Sequence, residues 1–140
     1  MAATFETIQE DIVLNRYSEP LTANDIQYMT IKDDEYSVSH SGPIHVVADF
    51  SEIKAFPSGL LTLGLRPGMN NPMRNPKVSS IVVICNSQFI NQLASVVSRV
   101  ARIDKLVVVK NWDEARAELG KASESYKAHG AQEDAQLHTN

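Results

Sequence analysis

The stretch KVSSIVVICNSQFINQLASVVSRVARIDKLVVVKNWDEARAELG, residues 77–120, decides the fold class. It opens on KVSSIVVICN (77–86), whose apolar run from Ile81 to Cys85 is a strong strand signal. Behind it Phe89/Ile90, Leu93/Ala94, Val96/Val97 and Val100/Ala101 recur at helical spacing, with Asn86 or Ser87 as the cap. IDKLVVVK (103–110) is a second buried strand. NWDEARAELG is a second helix, with Asn111 as N-cap, Asp113 and Glu114 in its first turn and Gly120 as its stop. Such alternation is that of an α/β sheet with parallel central strands and right-handed crossovers.

Working outward, IHVVADF (44–50) is another short continuous apolar run, entered through a turn at Ser41-Gly42-Pro43. A helix from Ser58 to about Arg66 follows, stopped by Pro67. PGMNNPMRNP (67–76) holds three prolines and a glycine and is a loop. At the N-terminus, TFETIQED (4–11) and IVLNRYSEPL (12–21) are two strands that pair as a hairpin at the sheet edge. Thr22 with Asp25 three residues later starts a helix whose apolar face is Ile26, Met29, Ile31 and Tyr36. The expectation is a single α/β domain over residues 1–120, with a mixed, mostly parallel sheet of about five strands and about four helices. After Gly120 the sequence has few large apolar residues, so 121–140 is expected to be a flexible polar tail.

Bulk properties narrow the function. The chain has 140 residues, enough for one domain, with 43% hydrophobic and 21% charged residues, an ordinary globular composition. A net charge of -4 leaves no basic stripe to neutralise phosphates, which argues against nucleic acid as a partner. The N-terminus lacks a signal-peptide pattern and no segment has the apolar length of a membrane span, so a cytoplasmic location is expected. Cys85, the single cysteine, sits in a strand run and is read as core.

Chemistry is sparse. No phosphate-binding glycine motif, nucleophile elbow or zinc-ligand spacing is present, so no cofactor, metal or catalytic residue is assigned. His45, in the third strand, is read as a hydrogen-bonded interior or rim residue and not as a general base. Asp49 and Glu52 follow that strand at the carboxyl end, where α/β folds place ligands. Ser58 has the position of a helix N-cap.

The order of elements, DFSEIKAFPSGLL (49–61) after the central strand and WDEARAEL (112–119) as the last helix together resemble a STAS domain, the fold of bacterial anti-sigma-factor antagonists and a relative of the CRAL-TRIO lipid-transfer fold. Asp49-Phe50-Ser51 is similar to the family's Asp-Leu-Ser, and Ser58 falls on its phosphorylated serine. Pro57 stands where the family has aspartate, and Gly59-Leu60 arrives one residue early. The resemblance implies a non-enzymatic protein-interaction module in signalling or regulation. Its partner would be a regulator or kinase-like anti-sigma factor, docked around Asp49, Ser51, Pro57, Ser58 and Gly59 and switched by phosphorylation at Ser58. A dianionic group there suits the positive end of a helix.

Arg66 and Arg74 with Lys77 make the 67–76 loop locally basic, and Met69 and Met73 are adaptable contact residues. The CRAL-TRIO side of the resemblance offers an alternative, a small carrier of an apolar ligand lined by GLLTLGL (59–65) and FINQLASVV (89–97). An open edge at the N-terminal strands leaves a homodimer as a further option.

Overall fold

The computed structural model describes residues 3–54, 75–85, 106–123 and 126. Five strands, β1 (Ala3–Gln9), β2 (Ile12–Tyr17), β3 (Ile44–Asp49), β4 (Val78–Ile84) and β5 (Leu106–Val109), form one sheet in that order. β1 and β2 are antiparallel and the other pairings parallel, so the α/β class and the N-terminal hairpin are as the sequence predicts. Two helices lie among the described residues, α1 (Ala23–Ser39) and α2 (Trp112–Ala122). The expected count of four is not borne out, and the two other expected helices, at 58 to about 66 and within 86–102, lie outside the described residues.

Strand periodicity divides the core. Val13, Val46, Ile81, Val83 and Cys85 face the α1 side, joined by Tyr36 of that helix. Ile12, Leu14, Val47, Val82, Ile84 and Val109 face the other side and meet Ala115 and Leu119 of α2. Because both faces are covered, the parallel strands carry continuous apolar stretches, Ile12–Leu14, Val46–Ala48 and Ile81–Ile84. Each fully buried Ile, Leu or Val contributes about 1.5–3 kcal/mol.

Helix α1 departs from its expected apolar stripe. Ile31 is 41% exposed, while the buried face carries Met29 with Asp25, Thr30, Asp33 and Ser37. The strand beneath explains this, because β2 offers Asn15 and Tyr17 on the same face as Val13. Thr22 and Asp25 close the predicted capping box: the Thr22 N–H and hydroxyl donate to Asp25 Oδ2 at 2.9 Å and the Asp25 N–H donates to Thr22 Oγ1 at 3.3 Å.

The last turn of α1 has no basic residue of its own. Lys77, just before β4, supplies one, its ammonium donating to the carbonyls of Ser37 and His40. Asn75 Nδ2 donates to Asp34 Oδ1 at 3.0 Å and Ser37 Oγ at 2.9 Å. Lys77 is thus committed to the negative end of a helix.

Gly120 does not end α2. The helix runs to Ala122 and is capped by Ser123, whose N–H donates to Leu119 O at 2.8 Å. An interior glycine costs about 1 kcal/mol relative to alanine and breaks nothing. Beyond it, Ser123 and Tyr126 are buried, and Tyr126 joins the α2-side core.

Candidate functional site

Parallel strands bring their carboxyl ends to one edge, and there Asp49 closes β3. It is 7% exposed, and each of its oxygens already accepts a hydrogen bond, Oδ1 from the Ser51 N–H at 2.9 Å and Oδ2 from the Trp112 indole N–H at 3.1 Å. The first bond shapes the turn after β3; the second ties that turn to the first residue of α2. Ile53, 1% exposed, anchors the turn from below, its N–H donating to Phe50 O at 3.0 Å. Phe50 stacks on Tyr17 with ring centroids 4.4 Å apart. Lys54 N–H then donates to Glu19 Oε1 at 2.8 Å. The chain therefore leaves the sheet from a fixed platform.

Arg16 stands opposite Asp49 in the β2–β3 register. Arg16, Tyr17, Asp49, Ser51 and Glu52 line a cleft of about 250 Å³. Arg16 also lies 3.4 Å from Glu6, both side chains half exposed, an ion pair of little energetic weight.

Of the residues read from the sequence, Asp49, Ser51 and Glu52 come together in this cleft. Pro57, Ser58, Gly59, Arg66, Met69, Met73 and Arg74 lie outside the described residues, as do the apolar runs 59–65 and 89–97. Sequence reading missed Arg16, Tyr17 and Trp112. A signal existed for Trp112, the single tryptophan: it directly follows the N-cap after β5, and β5 runs parallel to β3, so both chains emerge at the same edge.

At the opposite edge His45 is 4% exposed. Its Nδ1 lies 2.6 Å from Ser80 Oγ, and its Nε2 lies 3.8 Å from Asp11 Oδ2. Burial pushes the imidazole below its ordinary pKa, opposed by the Asp11 charge, so the ring is neutral at pH 7. The ring and the Ser80 hydroxyl are therefore hydrogen-bonded, with the direction of that bond set by the ring's tautomer. Although serine, histidine and aspartate meet here, Asp11 stands beyond hydrogen-bond reach of the ring. Its Oδ2 instead accepts from Ser123 Oγ at 2.8 Å, a bond between residues 112 apart in sequence. The network closes the amino edge of the sheet.

An open groove of about 680 Å³ runs between β1 and α1, walled by Phe5, Tyr28, Lys32, Glu35 and Tyr36. Among the described residues no three His, Cys, Asp or Glu side chains gather as a metal-holding group. No described helix is long and apolar enough to cross a membrane. Comparisons with protein-family models, curated proteins and solved structures gave no match.

Proposed function

We propose that the chain is a non-enzymatic, STAS-like docking module of bacterial signalling or regulation. It engages a regulator or kinase-like protein through the carboxyl edge of its sheet and is switched by phosphorylation at Ser58. The observation that carries this reading is the use of Asp49. Both its oxygens hold the turn and Trp112 in place, so the acid builds a surface and is not presented as a reacting group. The neighbouring cleft of about 250 Å³ is smaller than the roughly 300–1,000 Å³ pockets that take small ligands. Its rim carries Arg16, Ser51 and Glu52, all exposed, a mixed-charge surface suited to a protein partner. Ser58 follows Lys54 by four residues in the sequence, and a phosphate added there would change the charge presented to that partner.

The test is a pull-down from lysate of the source organism with the wild type, Ser58→Ala, Ser58→Asp and Arg16→Glu, followed by direct binding to the retained protein. A partner held by wild type and Ser58→Ala, and lost by Ser58→Asp and Arg16→Glu, is the expected result. Equal binding by all four overturns both the site and the switch. Retention of no protein, together with a co-purifying lipid in native mass spectrometry, would replace this reading with the apolar-ligand carrier.

A further inference from the structure

Between β2 and α1 lies a buried polar pair that the docking surface does not use. Asn15 is 2% exposed and Asp33 1%. The Asn15 Nδ2–H donates to Asp33 Oδ2 at 2.8 Å. On these same two planar groups, Asn15 Oδ1 and Asp33 Oδ1 are both buried and both lack a hydrogen-bond partner. Two orphaned acceptors on side chains that already share one bond are costly as they stand, and a single proton between them would satisfy both.

We infer that Asp33 and Asn15 form a closed acid–amide pair, in which Asp33 is protonated at Oδ1 and donates to Asn15 Oδ1, and that this buried proton latches α1 onto β2. A carboxylic acid and a primary amide are complementary in this way, each giving one hydrogen and accepting one. The surroundings favour the neutral acid. β2 presents Asn15 and Tyr17 to it, α1 adds the acidic Asp34, and no ion pair reaches Asp33 among the described residues. Burial raises the carboxyl to about 7, with Asp34 adding to the rise and the Asn15 hydrogen bond opposing it.

The sign follows from a folded pKa above the unfolded one. The latch contributes fully below about pH 4, loses strength as pH rises toward 7, and is gone above that. Ionisation opens one side of the pair and leaves a buried charge under α1. That helix also forms the Tyr28, Lys32, Glu35 and Tyr36 wall of the groove beside β1, so the latch governs how firmly the wall is seated.

Asp33→Asn tests this, because an amide at 33 reproduces both bonds of the pair and cannot ionise. Urea unfolding of the wild type and Asp33→Asn is measured at pH 5 and pH 8, and the Asp33 carboxyl ¹³C shift of the wild type is titrated by NMR. At pH 5, where the unfolded carboxyl is already ionised, the variant's unfolding constant should be on the order of 10-fold below that of the wild type. Between the two pH values the wild-type unfolding constant should rise on the order of 100-fold more than that of the variant. The ¹³C midpoint should lie near 7. A midpoint near 4, or identical pH dependence in the two proteins, overturns the inference, and the titration decides it even if the variant fails to fold.

Discussion

Trp112→Phe probes the tie between β3 and α2 most directly. Phenylalanine keeps most of the ring's apolar area against the α2-side core and deletes the indole N–H that reaches Asp49 Oδ2 at 3.1 Å. Asp49 is 7% exposed, so water replaces the lost donor poorly. A hydrogen bond to a charged group contributes about 1.5–3 kcal/mol, and the expected loss is about 2 kcal/mol. With 140 residues and an unfolding entropy of roughly 2 cal/mol/K per residue, that lowers Tm by about 7 °C. Equilibrium urea unfolding gives the loss at constant m-value, and a cycle with Asp49→Ala isolates the pairwise part, expected at about 1–2 kcal/mol. A loss below about 0.5 kcal/mol, or strict additivity of the two changes, would refute the tie as a source of rigidity at the carboxyl edge.

Two further outcomes follow from contacts at the amino edge of the sheet. Lys77→Ala removes the cation from the last turn of α1 and should cost about 1–2 kcal/mol, with faster amide exchange confined to the end of that helix. Because burial lowers the His45 pKa, its contribution is present at pH 7 and is lost as pH falls below about 6.5; His45→Gln should therefore flatten the drop in Tm between pH 7 and pH 5. An unchanged slope would mean that the ring is not what titrates.

Much of this architecture was legible from local pattern. The runs at 44–50, 78–85 and 103–110 could be read as strands because double-sided burial leaves little room for polar residues. Thr22 with Asp25, and Asn111, could be read as caps because capping is settled within three residues, and the Glu114 N–H does donate to Asn111 Oδ1 at 2.9 Å. What escaped was non-local. Asn15 and Asp33 are 18 residues apart and polar, so no periodicity marks them as partners. Ser123 reads as part of a tail because few large apolar residues surround it in the sequence, whereas it is buried and bonded to Asp11, 112 residues away. The carboxyl-edge site was half legible: Asp49 and Ser51 stand in the strand-end position, while Arg16 and Trp112 reach them only through the sheet order.

That sheet order has a consequence for synthesis. Every strand pairs with the strand made just before it, so as the chain leaves the ribosome the sheet can lengthen one strand at a time without waiting for a distant partner. The opposite holds for the face carrying Ile12, Leu14, Val47 and Ile84. Among the described residues its cover, Ala115, Leu119 and Tyr126, is the last part to be made. A chain truncated after residue 110 would hold all five strands without those three side chains, and the bond from Ser123 to Asp11 forms only once residue 123 is in place. The segment carrying these three side chains thus acts as a late seal, and a chain that lacks it leaves Ile12, Leu14, Val47 and Ile84 without that cover, apolar surface of the kind chaperones bind.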